Sequence, residues 1–190
     1  MAAVRLEHLK QESAAKTTLV WKAYPLAAGD FPGRRFNNYL AQTWTRASAE
    51  EPTLTFRPWP ESQDLPSSSL PALEAAKCAE LQGPDAFDRY HMALFRAFFE
   101  QCRDISHREV LISLATEAGL DSARLGDDLD LRKEESKVLT EYKDGRQGAG
   151  ILGIPTAIFT EQLRLEGAVP LDMYCRAVEV LLKGQSSNRC

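Results

Sequence analysis

The segment from Gly148 to Thr160 constrains the fold more than any other part of the chain. Three glycines loosen its backbone, and Pro155 then begins a short run of β-forming residues. Proline has no N–H, so it is expected at the first position of a strand and not inside a central one. The local pattern allows two interpretations. It is either an ordinary loop that enters a strand, or a cis-proline loop that leaves backbone groups of Ile154 and Thr156 open at a surface.

The elements predicted around this segment belong to a small α/β domain. A helix is expected over residues 2–13, and the β-rich run over 17–26 is apolar on both faces, as in a strand covered by helices on both sides. After the proline, residues 156–160 and 164–169 are expected to form a hairpin. Pro170 is well suited to the start of a closing helix that ends near residue 184.

The middle of the chain, residues 65–143, is predicted to be all-helical. Residues 70–81 are rich in alanine, the strongest helix former, and Asp121 is a suitable N-cap for a short helix further on. A single charged helix is expected over residues 130–143. The strongest amphipathic signal comes from side chains that recur at helical spacing, namely Phe87, Tyr90, Leu94, Phe95, Phe98 and Cys102.

The order of these elements and the Gly-Ile-Pro-Thr loop resemble the DsbA family, including its FrnE-like and 2-hydroxychromene-2-carboxylate isomerase branches. The resemblance covers nearly the whole chain, residues 2–183. It implies an α/β, thioredoxin-like fold with an all-helical insertion subdomain. It also implies that the bond before Pro155 is cis, and that Ile154, Pro155 and Thr156 form a substrate-binding loop facing the redox site.

The resemblance also implies a domain organisation. The turn that begins at Leu65 (Leu-Pro-Ser-Ser) is similar to the Leu-Pro-Asn-Ser/Thr turn that opens the insertion in FrnE-like proteins, with serine in place of asparagine. The thioredoxin-like domain is then expected in residues 1–64 and 144–184. The helical insertion is expected in residues 65–143, and a flexible tail in residues 185–190.

The redox motif of the resembling family has no counterpart in this sequence. Thiol–disulfide exchange needs a thiolate at a helix N-terminus, usually with a second cysteine three residues later. In the DsbA family that motif ends the first strand and opens the first helix. Here the first helix begins at about Ala2, so the resemblance places the first strand and the motif before Met1, and no catalytic residue is assigned. The missing strand would leave two strand edges open, so we expect a collapsed gap, poor solubility, or a homodimer that shares a strand.

The remaining residues with reactive or metal-binding side chains form no motif. Cys78, Cys102, Cys175 and Cys190 contain no Cys-x-x-Cys pair and no zinc spacing, so all four are expected to be reduced thiols. The first three are expected to be mostly buried packing residues, and Cys190 is expected to be exposed in the tail. The histidines, which are His8, His91 and His107, fall in three separate predicted helices. The acidic run at residues 127–130 lacks the glycine and the terminal glutamate of an EF-hand, so no metal site is predicted.

Composition limits the classes of partner. The 190 residues carry a formal net charge of −4, which argues against a nucleic-acid-binding surface. No apolar run is long enough for a membrane span, and the N-terminus lacks the apolar core of a signal peptide. A cytoplasmic location is therefore expected.

The leading functional interpretation is a DsbA-family oxidoreductase-like protein that is truncated or lacks its redox motif. One alternative is a relative of glutathione-dependent isomerases and kappa-class glutathione transferases. A second alternative is a non-catalytic, thioredoxin-like protein that binds a peptide or a partner. The expected ligands are a peptide, a thiol or a glutathione-type small molecule. No cofactor other than glutathione is expected, and whether the chain is an enzyme is left open.

Overall fold

The computed structural model describes residues 1–13, 17–160 and 163–187. The chain forms two compact units. The discontinuous unit comprises Met1–Trp21 and Gly145–Cys190, and the helical unit comprises Lys22–Asp144. The helical unit thus includes residues 22–64 besides the expected insertion, and the domain division predicted from the sequence stays a prediction.

The described residues are mostly helical. In chain order the α-helices are α1 (Ala2–Ser13), α2 (Asn38–Glu50), α3 (Leu70–Glu80), α4 (Pro84–Phe99), α5 (Arg108–Glu117), α6 (Ser122–Asp130), α7 (Glu135–Lys143) and α8 (Leu171–Ser187). A short π-helix, Asp144–Gly148, follows α7, and the strands β1 (Thr156–Ile158) and β2 (Arg164–Glu166) precede α8. None of the helices in the described ranges is both long enough and apolar enough to cross a bilayer.

The discontinuous unit packs a β-hairpin against two helices. The strands β1 and β2 pair antiparallel, with Ala157 opposite Leu165. Ala157 and Phe159 point to the same face of the hairpin, because side chains alternate along a strand. That face meets a core formed by α1 and α8, whose buried members are Leu6, Leu9, Tyr174 and Val178. The hairpin predicted from the sequence is confirmed, although both strands are shorter than expected.

A buried arginine fastens α1 to the segment between β2 and α8. Arg5 is 8% exposed, and its Nη1 donates hydrogen bonds to the carbonyls of Ala168 (2.7 Å) and Val169 (3.1 Å). The Tyr174 hydroxyl donates to the Gly167 carbonyl at 3.3 Å. These bonds satisfy carbonyls just before α8, so a polar side chain in an otherwise apolar interface stabilises the connection.

The helical unit is built around α3. This helix is rich in alanine, and most of its side chains are buried. Because alanine side chains are small, neighbouring helices can approach α3 closely. It packs against α4, α5, α6 and α7. Cys78, on the same helix, is fully buried among them.

Aromatic side chains form a second core in the helical unit. Its buried members are Trp44, Trp59, Leu65 and Cys102. Trp44 is the one buried residue of α2 among its described side chains, and the partly buried Leu40 of the same helix packs against this core beside it. The partly buried aromatic side chains around it are Phe36, Phe56, Phe98 and Phe99.

The first and last residues of the helical unit are bound to each other. On α7, the Glu141 Oε2 accepts a hydrogen bond from the Ala23 N–H at 2.7 Å, and its Oε1 accepts one from the Lys22 Nζ at 3.1 Å. One residue later, the Tyr142 ring meets the Tyr24 ring edge to face, with 4.9 Å between centroids. The carboxylate of Glu141 also pairs with a buried lysine of α3.

The predicted strand over residues 17–26 is wrong. The described residues of this run have no regular secondary structure, and the sheet of the described chain consists of β1 and β2. A strand requires a neighbouring strand to satisfy its N–H and C=O groups, and no described strand pairs with this run. At Ala23, the N–H bonds to the Glu141 carboxylate instead.

Two helix boundaries also differ from the prediction. The helix expected over residues 130–143 begins only at Glu135, as α7, because Arg132 has a φ of 50° and ends α6. The next N–H, of Lys133, then bonds to the Asp128 carbonyl at 3.1 Å, as in a Schellman motif. The last helix, α8, extends past residue 184 to Ser187. The final residues of the predicted flexible tail, 188–190, lie outside the described residues.

Candidate functional site

The candidate site is the loop that enters β1. Its Ile154–Pro155 peptide bond is cis, which agrees with the cis-proline interpretation of the sequence. The loop is held on both sides of this bond. The Pro155 carbonyl accepts a hydrogen bond from the Gly167 N–H at 2.8 Å, and the Thr156 Oγ1 donates to the Gly153 carbonyl at 2.8 Å. Within the described residues, neither the N–H nor the C=O of Ile154 has a hydrogen-bond partner.

The pairing of the hairpin shows which backbone groups of β1 face away from β2. The Pro155 carbonyl and the Phe159 N–H both form hydrogen bonds across the hairpin, at 2.8 Å and 2.9 Å. Such bonds alternate along an antiparallel strand, so Ala157, midway between these two residues, also directs its polar groups to β2. Thr156 and Ile158 therefore direct their N–H and C=O groups to the opposite edge. No strand of the described chain pairs with that edge.

Exposed apolar side chains flank these open backbone groups. Leu152 is 89% exposed, Ile154 is 46% exposed and Ile158 is 52% exposed. Open donors and acceptors beside apolar side chains suit the binding of an extended backbone, which forms main-chain bonds and buries alternate side chains. The loop and the edge can therefore bind a peptide-like ligand, but they contribute no nucleophile.

The described cysteines form no disulfide, and the two whose pKa is shifted have a raised pKa where a redox nucleophile needs a lowered one. None of Cys78, Cys102 and Cys175 forms a disulfide. Burial, together with the carboxylates of Glu74 and Asp128, raises the pKa of Cys78 to about 12. Burial also raises the pKa of Cys102. A reactive cysteine needs a lowered pKa, so these two thiols are packing residues, and Cys190 lies outside the described residues.

His91 and the acidic run also have structural roles. His91 stacks between two phenylalanine rings, with its ring centroid 5.0 Å from Phe87 and 4.7 Å from Phe95, and burial lowers its pKa to about 4. In the acidic run, Asp128 binds the Lys133 Nζ at 2.7 Å. Asp130, two residues later on the same helix, binds Arg108. No group of three or more side chains suited to a metal ion occurs in the described ranges.

The three predicted site residues lie together at the entrance of β1, and the structure adds a fourth. Ile154, Pro155 and Thr156 are consecutive, so their proximity follows from the sequence. Ile158 was not identified from the sequence, because its open backbone depends on the register of the hairpin. The alternation of strand residues, counted from Thr156, is the signal that would have identified it.

Comparisons with protein families and with curated proteins find related sequences. A family model described as a DSBA-like thioredoxin domain matches residues 1–179. The ClpXP adapter protein SpxH of Halalkalibacterium halodurans is 29% identical over 173 residues, which are 85% of this chain and 54% of that protein. The uncharacterised protein YwbO of Bacillus subtilis is 29% identical over 89 residues, which are 47% of this chain and 44% of that protein. The chain thus spans about half the length of the first of these relatives.

A solved structure with the same fold is also found. A Nitrosomonas europaea protein, described as a "putative protein disulfide isomerase", superposes with a TM-score of 0.71. The superposition covers 99% of this chain and 91% of that one, at 20% sequence identity. At this identity the similarity establishes the thioredoxin-like fold and does not extend to the activity.

Proposed function

We propose a function for this chain from its family, because the chain belongs to the DSBA-like thioredoxin domain family. It binds the backbone of an extended, thiol-bearing ligand at the loop formed by Ile154, Pro155 and Thr156. The observation that carries this proposal is the open backbone of Ile154, which is half exposed and has no hydrogen-bond partner in the described chain. Extended ligands are recognised through such main-chain groups.

The chemistry proposed for the ligand is thiol–disulfide exchange. A thiolate attacks one sulfur of a disulfide, a mixed disulfide forms, and the second sulfur leaves as a thiolate that takes up a proton. The loop would hold the ligand backbone beside the reacting sulfur. The attacking thiolate is neither Cys78 nor Cys102, because the pKa of each thiol is raised.

We expect the ligand to bind at the loop. A side chain introduced at position 153 should block this binding. Gly153 and Gly148 both have open space around the position of a Cβ, and neither has a positive φ, so both tolerate valine. Gly153→Val should weaken binding at least tenfold, because its side chain lies next to the open backbone of Ile154. Gly148→Val should change binding less than twofold. Titration with a cysteine-containing extended peptide, followed by the NMR shift of the Ile154 amide, measures both effects.

A parallel titration with reduced glutathione separates the two ligand classes. A shift of the Ile154 amide with the peptide alone favours the oxidoreductase proposal. A shift with glutathione alone favours the glutathione-dependent isomerase or transferase alternative. If neither probe moves this amide, or if Gly148→Val weakens binding as much as Gly153→Val, binding at the loop is disproved.

We expect residues 1–190 to show no insulin-reductase activity above the dithiothreitol background. Burial, together with nearby carboxylates, raises the pKa of Cys78 to about 12, so this thiol stays protonated at pH 7 and is a poor nucleophile. The turbidity assay of insulin reduction measures this directly. Acceleration that is lost in Cys78→Ala would contradict the assignment of Cys78 as a packing residue.

A second candidate function is non-catalytic binding of a partner protein. One comparison favours it, since the Halalkalibacterium halodurans relative is named a ClpXP adapter protein. An adapter needs no reactive sulfur in its ligand. The same peptide with its cysteine alkylated distinguishes the candidates, because an adapter would bind both forms equally.

We also propose a branch and a location for the protein. The FrnE-like branch is supported by the Leu-Pro-Ser-Ser turn at Leu65, whose following serines fasten the start of α3. Ser69 Oγ accepts a hydrogen bond from the Ala27 N–H at 3.1 Å, and Ser68 Oγ donates to the Ala27 carbonyl at 3.1 Å. A cytoplasmic location is supported by Cys78 and Cys102, which form no disulfide.

A further inference from the structure

A groove with a volume of about 430 Å³ lies on one face of α2, within the helical unit. This volume falls in the range of roughly 300–1,000 Å³ that is typical of small-molecule sites. Along α2 the groove is lined by Ala41, Thr45, Ser48 and Ala49, which recur at helical spacing. Because these side chains are small, they leave space beside the helix. The groove shares no residue with the loop at 154–156, so it is a separate candidate site.

The rest of the lining is apolar and is fastened to the helical unit. It consists of Phe56 and Pro58, with Trp44 from α2. The rings of Trp44 and Phe56 lie 6.0 Å apart, between centroids. Between Phe56 and Pro58, the Arg57 N–H donates a hydrogen bond to the carbonyl of Phe99, the last residue of α4, at 2.8 Å. The apolar walls are therefore in place before any ligand binds.

The indole N–H of Trp44 is a hydrogen-bond donor that the fold leaves unused. Trp44 is 6% exposed, and nothing in the described chain accepts a hydrogen bond from its Nε1. In the same aromatic core, the Trp59 Nε1 donates to the Phe98 carbonyl at 3.2 Å. Among the described side chains, the fully buried polar atoms without a partner belong to Glu74 and Asp128. The Trp44 nitrogen is therefore reached from outside, and the groove is the opening that Trp44 lines.

Two hydroxyl groups give the groove further polar contacts. The Ser48 hydroxyl has no hydrogen-bond partner within the described chain, so it can donate or accept. The Thr45 hydroxyl donates to the Ala41 carbonyl at 2.9 Å, so its oxygen can only accept from a ligand. None of the side chains that line the groove is charged. The groove thus offers two donors and an acceptor between apolar walls.

We propose that this groove binds a neutral aromatic carboxamide. The ring of such a compound packs against Trp44, Phe56 and Pro58. Its carbonyl oxygen accepts from the Trp44 N–H and the Ser48 hydroxyl, and its amide N–H donates to the Thr45 Oγ1. A carboxylate in the same place would lose its hydration without meeting a cation, so the neutral amide is favoured. Binding in this groove is independent of the function proposed for the loop.

Titration with benzamide, followed by the indole N–H cross-peaks in proton–nitrogen correlation NMR spectra, tests this site. The Trp44 cross-peak should shift and saturate, whereas that of Trp59 should stay in place because its N–H is bonded within the fold. Two further probes define the ligand class. Benzoate replaces the amide by a charge, and acetamide lacks the ring, so each should bind at least roughly tenfold more weakly than benzamide.

Ala49→Leu should weaken benzamide binding roughly tenfold, because the larger side chain occupies the groove. Thr43→Leu is the matched control, since Thr43 is an exposed residue of α2 that does not line the groove, and it should change the dissociation constant less than twofold. Ser48→Ala removes a polar partner without adding bulk, so it should weaken binding roughly threefold. An unchanged Trp59 cross-peak in each free variant verifies that the aromatic core is intact.

A Trp44 cross-peak that stays in place up to the solubility limit of benzamide overturns the proposal. So do equal shifts of the Trp44 and Trp59 cross-peaks, which would mean that benzamide binds without a defined site. Equal losses for Ala49→Leu and Thr43→Leu would place the binding outside the groove. Benzoate or acetamide that binds as tightly as benzamide would contradict a site for neutral aromatic carboxamides.

Discussion

Replacing Glu141 with alanine should lower the free energy of unfolding of the helical unit by about 3–5 kcal/mol, the range expected when one partner of a buried ion pair is removed. The Glu141 side chain is 7% exposed, and its carboxylate lies 3.2 Å from the Nζ of Lys77, whose side chain is 4% exposed. Alanine would remove the Glu141 carboxylate from the buried Lys77 ammonium, which also pairs with Glu80 at 2.7 Å, and it would orphan the Ala23 N–H. Urea unfolding in a Trp21→Phe background, followed by Trp44 and Trp59 fluorescence, measures this loss.

Lys22→Ala is the matched control for Glu141→Ala. The Lys22 side chain also pairs with Glu141, at 3.1 Å, but it is 67% exposed, so its removal should cost no more than about 0.5 kcal/mol. Glu141→Gln should fall between the two variants, because the amide oxygen can still accept the Ala23 N–H. Equal losses for Lys22→Ala and Glu141→Ala would contradict a buried ion pair.

The contribution of Glu141 should depend on pH with a defined sign. Burial by itself raises the pKa of Glu141, but the Ala23 N–H and the lysines Lys22 and Lys77 outweigh burial and hold the pKa below 4.5. A carboxyl group whose folded pKa is lowered stabilises the fold above its unfolded pKa and loses that stabilisation as the pH falls through the folded value. The difference between wild type and Glu141→Ala should therefore be full at pH 7 and should shrink as the pH falls below 4.5.

Replacing Trp44 with alanine should cost about 3–5 kcal/mol of unfolding free energy, as for other large aromatic side chains removed from a core. Trp44 is 6% exposed, and its ring lies 4.9 Å from that of Phe36 and 5.1 Å from that of Phe99, between centroids. Because Trp44 is the one buried residue among the described side chains of α2, the loss should be concentrated in that helix. Hydrogen exchange should show the amides of α2 deprotected before those of α3.

Tyr39→Ala is the control for Trp44→Ala, because it removes an aromatic ring from the same helix. Tyr39 is 71% exposed, so its removal should change the unfolding free energy by less than about 0.5 kcal/mol. If α2 in Trp44→Ala stayed as protected as in wild type, another contact would have to anchor the helix.

The parts of the fold that were predictable from the sequence are those specified by local chemistry. The proline loop and the hairpin follow from glycine, proline and β-forming residues within a few positions of one another. The N-cap at Asp121 is also specified by residues close in sequence, since its side chain accepts a hydrogen bond from the Arg124 N–H at 2.9 Å. For the same reason, the candidate site residues Ile154, Pro155 and Thr156 could be located before the structure was known.

The parts that were not predictable depend on contacts distant in sequence or on a conformation without a sequence signal. The β-rich run at residues 17–26 has the local preferences of a strand, but its N–H at Ala23 is taken by Glu141, 118 residues later. The break between α6 and α7 occurs at Arg132, whose positive φ is usually adopted by glycine. The open backbone of Ile158 likewise required the strand register.

The bonds between Glu141 and residues 22–23, with the contact of Tyr24 and Tyr142, place the entry and the exit of the helical unit side by side. A module whose ends meet can be cut out of one loop and joined into another without stretching the host chain, which is why insertion and circular permutation succeed at such points. The helical unit can therefore be inserted into another chain as a module. Its size and helices can change in the course of evolution while the hairpin and the proline loop stay as they are.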